Sequence, residues 1–169
     1  MVAFGRGDMT SEAGHLIKKA VLNMQVNMSV FVDQGRQGEA MYSATTNGVK
    51  VEVSPVFDLD RSRPKDKYYY WNFEITLSNL GDVKIYFVSR HWIVHDENNK
   101  LYEIHGSGIN GRQPSIDGNS SFTHSSGCPL GTPSGKMRGV LRFIDHDRAA
   151  FDVRVPEFPF LNPHFPSGR

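Results

Sequence analysis

From Thr46 onward apolar and polar residues alternate with a period of two. Val49, Val51 and Val53 alternate with Lys50, Glu52 and Ser54, the pattern of a strand with one buried face. Pro55 places that strand near an edge or at a local bend. Tyr69, Trp71, Phe73, Ile75 and Leu77 then share one face, and Tyr70, Asn72, Glu74, Thr76 and Ser78 the other. After the turn Asn79-Leu80-Gly81-Asp82, a long extended run from Val83 to His95 carries Trp92 as a candidate core residue. Leu101 to His105 reads as a short strand, and Ser120 to Ser125 as another. Met137, Gly139, Leu141 and Phe143 alternate with Lys136, Arg138, Val140 and Arg142. Across the turn Asp145-His146-Asp147, Phe151, Val153 and Val155 complete a hairpin. About seven or eight strands at this spacing, with no helical periodicity after residue 40, predict an all-β, immunoglobulin-like antiparallel sandwich.

Three stretches break the pattern. Residues 1 to about 40 carry a helix-compatible patch from Ser11 through Leu22 and a polar break at Asp33 to Gly38. A poorly ordered arm or an extension from a start codon set too far upstream ranks above a partner-binding helix there, with residues 41–169 as the domain. Asp58 to Lys67, whose acids nearly cancel its bases, reads as a connection. Ser126 to Gly135 is too rich in Gly and Pro to read as helix or strand. The tail Pro156 to Pro166 alternates proline with aromatics, which predicts an extended segment against a surface and a candidate homodimer contact.

Charge narrows the function classes. Nineteen Lys+Arg against eighteen Asp+Glu give a formal net charge of +1, too balanced for bulk attraction to nucleic acid or an acidic membrane. Tyr68 to Trp71 beside a basic loop offers a stacking platform for bases, yet its alternation reads more strongly as core. No apolar run reaches the length of a membrane span. One cysteine, Cys128, excludes an intrachain disulfide and a Cys-x-x-Cys zinc site, which fits a reducing, cytoplasmic setting.

The candidate chemistry centres on His105-Gly106-Ser107-Gly108-Ile109-Asn110-Gly111-Arg112, a G-x-G-x-x-G stretch. A dinucleotide fold requires a helix after the third glycine, and Pro114 with the Ser/Asp/Gly/Asn cluster behind it removes that reading. Two readings stand: backbone amides of Gly106, Gly108 and Gly111 converging on an anion, or glycines that let a loop cross the end of a sheet. Arg90, Arg112 and Arg138, with Lys136, form a phosphate or carboxylate site if the fold brings them together; otherwise Arg90 and Arg138 satisfy loop carbonyls. His91 and His95 sit roughly 13 Å apart on a strand at about 3.3 Å per residue and share no ion. Asp145-His146-Asp147 offers metal ligands only as a minority reading. No nucleophile–base pair stands in a recognisable frame, and Cys128 is a lone loop cysteine.

Ser89 to Val94, His105 to Pro114 and Ser125 to Gly139 together resemble the ApaG family, in order and spacing, from about Met41 to Phe160. The resemblance implies a fibronectin type III or immunoglobulin-like sandwich and no established enzymatic activity. It also implies an association with cobalt resistance and magnesium efflux, genes that often neighbour a diadenosine tetraphosphatase, and eukaryotic relatives that serve as protein-interaction modules. Nucleotide or pyrophosphate contact at Gly106, Gly108 and Gly111 is a suggestion within that family. The expected function is a non-catalytic binding module for a phosphate-bearing small molecule or a protein partner, without cofactor, nucleic acid or membrane. The alternative is a metal-assisted phosphate-ester or pyrophosphate hydrolase.

Overall fold

The computed structural model describes residues 40–109 and 112–164; residues 1–39, Asn110, Gly111 and 165–169 lie outside the described residues, and with them the reading of an N-terminal arm. Among the described residues nine strands form: β1 (Tyr42–Thr46), β2 (Val49–Arg63), β3 (Tyr68–Asn79), β4 (Ile85–Asp96), β5 (Leu101–Ser107), β6 (Ser115–Ile116), β7 (Ser121–Leu130), β8 (Gly135–Ile144) and β9 (Ala150–Phe160). One antiparallel sheet runs β1-β2-β3-β7 and the other β5-β4-β8-β9, with β6 added to the start of β4. This is the all-β sandwich that the alternation predicts.

Core parity follows the sequence. Val49, Val51, Val53, Trp71, Phe73, Leu77, Trp92, Met137, Leu141, Phe143 and Val153 are buried between the sheets. Phe73 and Trp92 meet edge to face across the interface, with centroids 6.0 Å apart, a geometry favoured by the ring quadrupoles. Gly139 stands opposite Trp92 in the β4–β8 ladder, and a Cβ there would strike the indole. The small residue is the space in which the large one packs.

Three stretches differ from expectation. Ser126 to Leu130 continues β7 in register with β3, pairing Tyr69 with Leu130 and Phe73 with Ser126. β7 is an edge strand, where Pro129 costs no ladder bond, and Gly127 leaves room for the Tyr70 ring. Asp58 to Arg63 extends β2 through a register shift instead of forming a connection, and the loop proper is a single 3₁₀ turn at Pro64–Asp66. Pro55 lies past the last β1 pair, Tyr42 with Val53, where one side of β2 has no partner strand. The tail differs most sharply: Phe158 and Phe160 are fully buried and β9 pairs with β8, so the segment as far as Phe160 is a core strand and not a strap lying on the surface. The proline–aromatic alternation hid an ordinary period of two, with Pro159 facing away from the core.

One edge of the sandwich is closed. Tyr42 packs on Phe158 with centroids 6.5 Å apart, and the Asn47 side chain donates to the Asp152 carbonyl at 2.9 Å. Toward β7 and the end of β5 the sheets part around a cavity of about 40 Å³ lined by Phe73, Ile75, Leu77, Phe87, Trp92 and Leu141, with Arg90, Ile109, His124 and Ser126 completing its wall.

Candidate functional site

A register shift between Phe87 and Ser89 re-aims β4, so Arg90 falls on the inward face with Trp92 and Val94. Burial holds its guanidinium below the ordinary arginine value, with no opposing carboxylate contribution. None of the ion pairs among the described residues includes it. An inward cation without a counter-ion is costly unless its donors are satisfied.

The glycine stretch is what accommodates it. Arg90 and Gly106 are ladder partners, and a Cβ on Gly106 would stand 2.9 Å from the Arg90 Cζ. Arg90 donates through an η nitrogen to the Gly108 carbonyl. Gly108 has φ +64, and a Cβ there would run into the Arg112 carbonyl, so both conformation and space call for glycine. The backbone amides are spent locally: Gly108 donates to the Val88 carbonyl at 2.9 Å, while Ile109 and Arg112 exchange bonds of 2.7 and 3.0 Å around Asn110-Gly111. The antiparallel bridge between Ile109 and Arg112 makes the chain reverse direction between them.

Of the residues singled out from sequence, the structure brings together Arg90, Gly106 and Gly108. Arg112 is at the same reversal, exposed. Arg138 stands on the outward face of β8 across from Ile93, and Lys136 pairs there with Glu157 at 3.1 Å. Gly111 lies outside the described residues. The cations therefore do not form one cluster.

Two wall residues went unnoticed in the sequence. His124 and Ser126 project inward from β7, opposite Ile75 and Phe73. Burial, and then the charge of Arg90, hold the His124 imidazole below its ordinary value of 6.5. The signal that could have found them is parity, since both share the inward face of Phe122 and Cys128. Cys128 itself is buried, and burial pushes its thiol up to about 12. It is held as an unreactive thiol at neutral pH.

The aromatic platform is an internal arrangement. Arg61 lies over the Tyr70 ring at 5.3 Å and Arg63 over Tyr68 at 5.1 Å, while Tyr69 and Trp71 point inward. Two groups have metal-ligand spacing among the described residues, His91-Glu103-His105 and Asp145-His146-Asp147. In the second, Asp145 already accepts from the Asp147 and Ala149 amides at 2.9 and 3.0 Å, which stabilises the β8–β9 turn. No helix among the described residues is long and apolar enough to cross a membrane.

Residues 59–145 match the ApaG domain. A protein named ApaG from Paramagnetospirillum magneticum is 36% identical over 124 residues, covering 73% of this chain and 95% of the relative. One from Brucella abortus (strain S19) is 38% identical over 118 residues, covering 70% and 91%. A crystal structure of a Bordetella pertussis protein described as ApaA superposes with a TM-score of 0.66 at 32% identity, covering 68% of this chain and 94% of that one.

Proposed function

The chain belongs to the ApaG domain family, and on that premise we propose that it acts as a non-catalytic binding module whose recognition group is the Arg90 guanidinium beneath the glycine reversal. The observation that carries this reading is an inward arginine with no carboxylate partner among the described residues, set in the wall of a cavity that parts the two sheets. A guanidinium fork held in partly desolvated surroundings binds phosphate or carboxylate more strongly than one in water. His124 beside it gains charge when an anion enters, and Ser126 supplies a hydroxyl.

The cavity is too small to enclose a nucleotide. It therefore receives the anionic group and one small apolar neighbour, while the rest of the ligand lies over the exposed Arg112 side of the reversal. A phosphate-bearing small molecule fits this division.

Calorimetry with pyrophosphate, ATP and diadenosine tetraphosphate tests the reading. Arg90→Gln is expected to weaken binding by roughly 1.5–3 kcal/mol, about 10- to 150-fold, as for loss of a charge-assisted bond. Arg138→Ala, on the other face of its sheet, is expected to change nothing. Gly108→Val is expected to weaken binding too, because the new side chain both strains φ and displaces the Arg112 carbonyl. Absence of binding by all three compounds would transfer the site to an acidic group on a protein partner, and hydrolysis at enzyme-like rates would overturn the non-catalytic reading.

A further inference from the structure

The opposite face of the same strand pair carries a second arrangement. Alternation along β4 sends His91 outward where Arg90 goes inward, and the β4–β5 ladder sets His91 directly across from His105. Glu103 stands two residues before His105 on the same face of β5. The two imidazoles stack with centroids 3.9 Å apart and planes 17° from parallel. Both reach one carboxylate oxygen: His91 Nε2 lies 2.9 Å and His105 Nε2 3.5 Å from Glu103 Oε2.

We propose that His91, Glu103 and His105 form a metal site for a borderline divalent ion of the zinc class. Ligand type points there, because two imidazoles and one carboxylate suit Zn²⁺, Ni²⁺ or Cu²⁺, whereas Mg²⁺ demands an oxygen shell. Distance agrees: bonds of about 2.0–2.2 Å in tetrahedral array put ligand atoms about 3.4 Å apart, and the observed 2.9 and 3.5 Å bracket that value. All three residues offer ligand atoms within 4.8 Å of one another. The side chains are between a third and a half exposed, so the ion has an entry path and the rings can tilt from their stack toward a common point. The backbone positions are fixed by the ladder, which leaves only side-chain torsions to settle on binding.

Three protein ligands leave a coordination position for water or for another donor. The neighbours do not block it: Val140 faces His91 across β8, Ile93 faces Glu103, and Arg138 sits one strand further out beyond Ile93. The site shares β4 and β5 with Arg90 but lies on the other face of the sheet, so it stands or falls independently of the anion reading.

The test is titration of the full chain with Zn²⁺ by calorimetry, paired with the Zn²⁺-induced rise in melting temperature that binding to the folded state produces. Wild type is expected to bind Zn²⁺ and not Mg²⁺. His91→Ala and His105→Ala are each expected to lose at least tenfold in affinity along with most of the thermal shift, and Glu103→Gln to show a smaller loss. His95→Ala and His146→Ala are expected to behave as wild type. All the altered side chains are partly exposed, and melting without metal checks that each variant is folded; a histidine variant that is not is replaced by the glutamine substitution at the same position. Zn²⁺ binding unchanged in His91→Ala and His105→Ala, or lost in His146→Ala, would overturn the proposal.

Discussion

Single residues carry the architecture where a large group needs a small one opposite. Trp92 packs over Gly139 and against Phe73, so Trp92→Ala is expected to cost roughly 3–5 kcal/mol in urea unfolding through lost burial and a residual cavity; a loss below about 1 kcal/mol would place the indole outside the core. Arg90 and Gly106 repeat the relation with a charged partner. His124 adds a pH dependence whose sign is fixed by its surroundings. Burial and Arg90 hold its folded-state value below 6.5, so the neutral ring is what the folded chain accommodates. The stability it supports is present above pH 6.5 and is lost as pH falls through the depressed value. Wild type is therefore expected to lose more stability than His124→Gln between pH 7 and 5, measured by denaturant unfolding at each pH. An identical slope in both would remove His124 from the acid response. On the proposed reading an anion bound beside Arg90 favours the charged ring, and its affinity is expected to rise as the pH falls over the same range.

Among the elements, those with clean alternation were legible and those punctuated by proline and glycine were not. The inward sets of β2, β3, β8 and the first half of β9 follow from period two alone. β1 was missed, although Asn47-Gly48, both at positive φ, is the turn that makes a hairpin of β1 and β2. The later parts of β7 and β9 were misread because Gly127, Pro129, Pro156 and Pro159 look like breakers in isolation. On an edge strand, or turned away from the ladder, they are tolerated, and only the neighbouring strand decides that. A chain ending at Pro156 lacks both Phe158 and Phe160, which are fully buried. It is expected to show no cooperative melt by circular dichroism, whereas a surface strap would be removable with little change in melting temperature.

At the scale of the molecule, the candidate site arises because the two sheets are bridged at the β1–β9 edge and parted toward β7. The glycine motif was visible in the sequence, yet its meaning depended on which way Arg90 points. That direction is set by a register shift in β4 that no residue pattern announces. The same shift explains why Arg90 and Arg138, both in recognisable motifs, end on opposite faces of one sheet. The backbone amides of Gly108, Ile109 and Arg112 are already used in local bonds, so the proposed recognition rests on the guanidinium. The most direct measurement of that claim is a pyrophosphate titration followed in ¹⁵N–¹H correlation spectra that include the arginine Nε–H signals. The account predicts that the Arg90 Nε–H resonance moves most, together with the amides of Gly106, Gly108, His124 and Ser126. Shifts confined to Lys136, Arg138 and Arg142 on the outward face, with Arg90 unmoved, would contradict it.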